Sequence, residues 1–226
     1  MTLFPEHYPE EYIEWSVHFF GKTYRVSPDV LIPRLETECL IRRARKIIQE
    51  ENIRQVIDIG CGSGIIGTSV ADLVDRVVFL DISPEALKMT QRNFETNFPN
   101  KKADFIVSDL LAGLPIDTYP DTLLLTNLPY IKDADWKNMS PDTIFEPKLA
   151  LFGGEKTGFE LYEKLFEQFQ WMNFSQTHTC IFEFWFDQRE YAEKIITTQY
   201  PTWKYIFFAD YAGIERFWEI IFGKNP

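Results

Sequence analysis

A chain of 226 residues suits one large domain, or a domain with a short extension, and 45% hydrophobic residues suffice for a sizeable core. The formal net charge of −11 argues against DNA or RNA as partner, because a nucleic-acid binder needs a positive footprint to displace phosphate counterions; it argues more weakly against an anionic membrane. Three cysteines, Cys39, Cys61 and Cys180, lie far apart, which excludes a disulfide framework and a spaced set of metal ligands and points to a reduced cytoplasm.

Residues 1–16 are polar and rich in Pro and Glu near the start. They read as an arm or short helix, not a signal peptide. No apolar run is long enough to span a bilayer. Residues 17–20 and 24–26 flank Gly21-Lys22 and predict a small hairpin. Residues 36–51 predict a helix with Leu40, Ile41, Ala44, Ile47 and Ile48 on one face. Arg42, Arg43, Arg45 and Lys46 then take its wet face.

A regular alternation follows. Strands are expected over 55–59, 77–80, 104–107 and 122–126, with helices over 65–74 and 84–97. Ser83 should cap the second of these helices, and Pro84 suits its first turn. Residues 131–156 show no clear period and read as a functional lid. A helix over 158–172, a strand over 179–186 and a helix over 188–199 come next. Two closing strands, 203–208 and 216–222, surround a turn at 210–213. The segment 183–188 reads as the end of a buried aromatic strand.

Strands alternating with helices predict a mostly parallel sheet with helices on both faces. The last two strands are too close for a helical crossover and should pair antiparallel. In such sheets ligands sit at the carboxyl ends of the strands.

Asp58-Ile59-Gly60-Cys61-Gly62-Ser63-Gly64 follows the first of these strands and opens a helix. Glycine permits the tight turn and a close ligand approach. Asp81 closes the next strand, where its carboxylate can accept from two ribose hydroxyls; Ile82 follows it. Ser108 and Asp109 follow the third, placed to meet an adenine amino group and ring edge. Gly62-Ser63-Gly64-Ile65-Ile66-Gly67 also matches the dinucleotide fingerprint, with Asp81 at a suitable distance. An acid at Asp58 would oppose a pyrophosphate. S-adenosylmethionine carries a sulfonium and an ammonium and no phosphate, so it suits acids near the loop better. Cys61 reads as a small loop residue.

Asn127-Leu128-Pro129-Tyr130 follows the fourth strand. It resembles the (N/D)PPY motifs of enzymes that methylate nitrogens conjugated to a π system. The Asn127 side-chain oxygen and the Leu128 carbonyl can accept the two hydrogens of a planar NH2 group. Pro129 stiffens the turn, and Tyr130 can stack on the planar group.

The chain resembles the HemK/PrmC family, the glutamine methyltransferases of peptide chain release factors. The resemblance runs from Phe20-Gly21-Lys22-Thr23-Tyr24-Arg25-Val26 and Ile32-Pro33-Arg34-Leu35-Glu36-Thr37-Glu38 through the glycine loop and Asn-Leu-Pro-Tyr. It continues through Glu146-Pro147 and Ala150-Leu151-Phe152-Gly153-Gly154 to Asp210-Tyr211-Ala212-Gly213-Ile214-Glu215-Arg216. It implies a Rossmann-like, seven-stranded class I S-adenosylmethionine-dependent methyltransferase. S-adenosyl-L-homocysteine would be the product, and the GGQ-loop glutamine of a class 1 release factor the acceptor. It also places Arg34 and Glu38 beside the acceptor pocket and Glu146 in a loop over it.

Two departures stand out. Leu128 replaces the usual first proline, a form shared with adenine dimethyltransferases of ribosomal RNA. Only about 16 residues precede the hairpin, where family members carry a helical domain. The expected organisation is an arm over 1–16, left from that domain, a hairpin and acceptor-side segment over 17–35, and a methyltransferase domain over 36–226. The competing readings are an adenine-amino methyltransferase acting on RNA or DNA and a catalytically silent donor-binding protein.

Overall fold

A computed structural model describes residues 4–115, 121–172 and 177–223. A five-residue helix, α1 (Glu10–Glu14), leads into a hairpin of β1 (Ser16–Phe19) and β2 (Lys22–Arg25), paired antiparallel. Phe20 and Gly21 both take positive φ at its turn, the geometry that a two-residue hairpin loop demands. Tyr12 from α1 is buried with Val26, Val30, Ile32 and Ala86. Its hydroxyl donates to the Val30 carbonyl at 2.7 Å, which fastens the arm to the segment after the hairpin.

Helix α2 (Thr37–Glu51) is followed by β3 (Gln55–Ile59), α3 (Ile65–Val70), β4 (Arg76–Asp81), α4 (Pro84–Asn97), β5 (Asp104–Val107) and β6 (Thr122–Thr126). The expected cap is present, with the Ala86 N–H donating to the Ser83 hydroxyl at 3.2 Å and Pro84 at the first turn. Helix α3 is shorter than its sequence period suggests. It tightens into a 3-10 turn at Ala71–Leu73, where Lys101 donates to the freed carbonyls of Ala71 and Val74.

The chain continues with β7 (Ile131–Lys132), β8 (Phe152–Gly154), α5 (Glu160–Trp171), β9 (Thr177–Glu183), α6 (Arg189–Gln199), β10 (Lys204–Ala209) and β11 (Glu215–Gly223). The main sheet has the order β10-β11-β9-β6-β3-β4-β5. Its ladders are parallel from β9 through β5, and β11 runs antiparallel to both neighbours. Successive strand residues face opposite sides. Val56, Phe79, Leu123 and Ile181 therefore pack under α2, α3 and α4, while Ile57, Val78, Leu124 and Trp218 pack under α5 and α6. Both faces are covered, as the unbroken apolar runs of the parallel strands require. Among the described residues no helix is long and apolar enough to cross a membrane.

The region after β6 is not periodic because it is assembled from small pieces. The short β7–β8 ladder brackets 3-10 turns at Asp133–Asn138, Thr143–Phe145 and Lys148–Ala150. The aromatic stretch at 183–188 is not a buried strand: β9 ends at Glu183, Phe184 is buried, and Trp185 and Phe186 are exposed. The Gln188 amide supplies the alternative to ladder bonds. It accepts from the Trp185 N–H at 3.1 Å and donates to the Tyr130 carbonyl at 2.9 Å and the Thr157 carbonyl at 3.0 Å.

Candidate active site

Two cavities open at the carboxyl ends of β3, β4, β5 and β6. The first, about 440 Å³, is lined by Gly60, Cys61, Gly62, Asp81, Ile82, Ser108, Asp109, Asn127, Leu128 and Pro129, among others. The second, about 510 Å³, is lined by Tyr130, Lys132, Asp135, Met139, Trp185, Asp187 and Gln188. Leu31, Arg34, Asn127, Leu128, Pro129 and Ala150 border both. The Asn-Leu-Pro segment is therefore a partition between two chambers.

The glycine loop is shaped by what presses on it. A Cβ on Gly60 would lie 2.8 Å from the Leu128 Cδ2, and one on Gly64 would lie 2.6 Å from the Thr90 Cγ2; both residues have positive φ. Side chains there would meet neighbours and strain the backbone as well. The Thr90 hydroxyl donates to the Gly62 carbonyl at 2.8 Å, and the Asn93 amide donates to the Ser63 carbonyl at 2.8 Å and the Arg25 carbonyl at 2.9 Å. Helix α4 thus pins loop and hairpin together. Gly64 backs the loop instead of lining the cavity. Burial pushes the Cys61 thiol well up, which suits a packing residue and not a nucleophile.

Asp81 receives the Gly62 N–H at 2.9 Å on one oxygen and the Ser83 N–H at 2.9 Å on the other. A carboxylate offers about four acceptor sites, so further hydroxyls can be received. Asp109 borders the same cavity, with Lys164 paired to its Oδ2. The Ser108 hydroxyl is taken by its own loop, donating to the Leu110 carbonyl at 2.6 Å and accepting from the Gly113 N–H at 2.8 Å. The Ser108 N–H is also taken, by the Asp81 carbonyl at 2.8 Å, so Ser108 can only accept across the cavity, chiefly through its backbone carbonyl.

Asp58 does not face the cavity. Its side chain lies on the α3 side of the sheet, fully buried, and accepts the Gly67 N–H at 2.8 Å. The alternation of β3 decides this, since Asp58 shares a face with Val56. The charge argument against a dinucleotide therefore passes from Asp58 to the acids that do line the cavity: Asp29, Asp81, Glu85 and Asp109 against the guanidinium of Arg34. Glu38 is also not brought to the site. It sits on the first turn of α2 and pairs with Arg42 at 3.1 Å.

The Asn127 amide is held from behind. Its Nδ2 donates to the Thr37 hydroxyl at 3.4 Å. Thr37 donates to the Glu183 Oε2 at 2.7 Å, and the Tyr130 hydroxyl donates to the Glu183 Oε1 at 3.4 Å. The Leu128 N–H donates to the Tyr162 hydroxyl at 3.1 Å, a bond that proline in its place could not make. Tyr162 in turn donates to the Glu183 carbonyl. Leu128 is thus integrated into the site, with its side chain buried on Gly60. Tyr130 borders the second cavity only, with its ring 5.8 Å from that of Trp185.

Arg34 and Glu146 form an ion pair, with 34% of the Arg34 side chain exposed and 1% of that of Glu146. Glu146 also receives the Ile32 N–H at 3.0 Å. The pair ties the segment after the hairpin to the segment between β7 and β8. Thr37, Tyr162, Glu183, Trp185 and Gln188 were missed as site residues. Glu183 alone carried a signal, as an acid directly after the apolar run Cys180-Ile181-Phe182 at the strand's end.

Burial raises the carboxyls of Asp58 and Glu183 to about 7. Unfolded carboxyls titrate near about 4. Between those values the folded chain binds protons that the unfolded chain has released, so stability falls as pH rises from about 4 to about 7. Urea midpoints across this window should fall more steeply for the wild type than for Asp58→Asn. Parallel curves would refute the assignment to Asp58.

The family model for the methyltransferase small domain matches residues 37–147. A solved structure of the N-terminal domain of human METTL16 in complex with SAH aligns with TM-score 0.58 at 15% identity, over 89% of this chain and 75% of that one. The ribosomal protein L11 methylase of Lactobacillus delbrueckii subsp. bulgaricus aligns with TM-score 0.57 at 16% identity, over 83% and 78%. Both likenesses bear on the fold alone. The release factor glutamine methyltransferase of Koribacter versatilis is 36% identical over 71% of this chain, which spans 57% of that protein. The Mycoplasma mycoides subsp. mycoides enzyme of the same name is 30% identical over 100% of this chain and 79% of its own. The Staphylococcus aureus one is 31% identical over 92% and 74%. With a Rossmann-like methyltransferase sheet and relatives matched over most of their length, the chain belongs to the HemK/PrmC family of release factor glutamine methyltransferases.

Proposed function

We propose that this protein transfers the methyl group of S-adenosyl-L-methionine to the side-chain amide nitrogen of a glutamine, in the GGQ loop of a class 1 peptide chain release factor. One observation carries the reading. An acid-lined cavity behind the glycine loop and an aromatic-walled cavity share the Asn127-Leu128-Pro129 partition, as a transfer between two ligands requires. The first cavity fits the donor. Gly60 and Gly62 leave the loop without side chains, Asp81 has acceptor sites to spare, and the acids suit a ligand with two positive charges and no phosphate.

The donor supplies an electrophilic methyl carbon on positive sulfur. Asp81 receives ribose hydroxyls, and Ile82 and the Ser108–Asp109 segment meet the base. Asn127 Oδ1 accepts one N–H of the acceptor amide and the Leu128 carbonyl the other. They hold the nitrogen in place and offset the positive charge that develops on it. Tyr130, beside Trp185, presents a face for the planar amide. Of residues 17–35, Leu31 and Arg34 reach the acceptor chamber, while Pro28, Asp29, Val30 and Pro33 line the donor chamber alone, and Arg34 with Glu146 holds the lid across both chambers. The nitrogen becomes strongly acidic once methylated and sheds its proton to water, so no strong base is needed.

The test is incubation with labelled donor and three acceptors: a release factor, the same factor with its loop glutamine replaced, and bulk RNA. Label is expected on the first alone. Label on RNA would replace this reading with adenine methylation, and donor binding without any label would replace it with a silent binding protein.

A further inference from the structure

We propose that Glu183 is a positioning residue of the acceptor site, acting through the Thr37 hydroxyl to dictate which end of the Asn127 amide faces the acceptor. This rests on the reading that Asn127 Oδ1 receives an acceptor N–H. The two ends of a carboxamide are nearly the same shape, so packing cannot select between them. Hydrogen-bond chemistry must do so. The wrong end would point an NH2 group at another NH2 group.

Selection follows from a count of hydrogens. Thr37 has one hydroxyl hydrogen, and the Glu183 Oε2 takes it at 2.7 Å. Both residues are buried, at 1% and 2% exposure, so water does not compete for it. A carboxylate oxygen accepts and does not donate. Thr37 therefore offers only lone pairs to Asn127, whose Nδ2 lies 3.4 Å away. With its NH2 end spent on Thr37, Asn127 turns Oδ1 to the other side. Protonation of Glu183 on Oε1 leaves Oε2 an acceptor, so the device survives it. Tyr130 donates to that other oxygen at 3.4 Å. One buried carboxylate thus anchors both ends of the Asn-Leu-Pro-Tyr turn.

The test uses two disabling variants, Thr37→Val and Glu183→Leu, and two that keep the required atoms, Thr37→Ser and Glu183→Gln. The readouts are kcat, calorimetric affinity for the methyl donor, and the side-chain NH2 resonance of Asn127, assigned by its loss in Asn127→Ala. The disabling pair should lose about 10- to 100-fold in kcat, the range seen when an outer partner that orients a ligating side chain is removed. Donor affinity should hold, and the Asn127 resonance should move. The conservative pair should stay near the wild type on all three. Unchanged kcat and resonance in Thr37→Val would overturn the proposal, as would a loss of donor binding in step with kcat. The resonance needs no acceptor: if the wild type methylates no glutamine, the proposed function fails while the relay is still judged.

Discussion

Asn127→Ala should lower kcat about 100- to 1,000-fold while leaving donor affinity close to that of the wild type. The magnitude is that of removing one preorganised hydrogen-bonding group from a transition state, about 2.7–4 kcal/mol. The loss belongs in kcat because charge appears on the acceptor nitrogen only as the new bond forms. A partner for that charge is worth most at the transition state. Asn127 lines both cavities, yet the donor-side contacts proposed for Asp81 and the Ser108 backbone do not depend on it. Single-turnover rates with saturating acceptor, alongside calorimetric donor binding, separate the two effects. A fall of only a few fold would remove Asn127 from the mechanism.

Asn127→Asp should be intermediate. It keeps an oxygen toward the acceptor, but its second oxygen then faces a Thr37 hydroxyl whose hydrogen is committed to Glu183 at 2.7 Å. Two oxygens without a hydrogen between them repel, and the side chain must shift or take up a proton.

What could be read from sequence, and what could not, divides by range. Gly60, Ser108 and Asn127 each follow a strand of clear pattern and Asp81 closes one, and parallel strands bring their carboxyl ends together, so their convergence was foreseeable. The antiparallel pairing of β10 and β11 followed from the shortness of their connection. Asp58 was misplaced because sequence adjacency to the loop was read as proximity to the ligand, while the period of two in β3 turns it under α3. Thr37 and Glu183 meet across 146 residues and Arg34 and Glu146 across 112. No local rule predicts such partners. The aromatic run after Glu183 has strand composition, but Gln188 binds the Tyr130 carbonyl and draws it into a turn beside the acceptor cavity. Tertiary hydrogen bonding there overrode local propensity.

Arg34→Met should destabilise the protein by about 3 kcal/mol near pH 8 and impair the acceptor side of the reaction. Removing one partner of a buried ion pair leaves the other charged and desolvated, at a cost of about 3–5 kcal/mol. The lower end applies because Arg34 is 34% exposed and gives up less burial, whereas Glu146 is 1% exposed and has no route to water. Burial already raises the Glu146 carboxyl even with Arg34 beside it, so without Arg34 its pKa must climb further. Glu146 can then escape by binding a proton. The deficit of Arg34→Met should therefore shrink as pH falls, because the folded variant takes up a proton that the unfolded chain lacks. A second substitution separates charge from packing. In Arg34→Met with Glu146→Gln the buried group is neutral and its oxygen still meets the Ile32 N–H, which Glu146 receives at 3.0 Å in the wild type. Stability should return toward the wild type, by urea midpoint at pH 8, while the lid remains without its cationic clasp and the acceptor KM stays raised. Equal midpoints for wild type and Arg34→Met at pH 8 would mean that the pair holds nothing together, and that the segment between β7 and β8 is kept in place by packing alone.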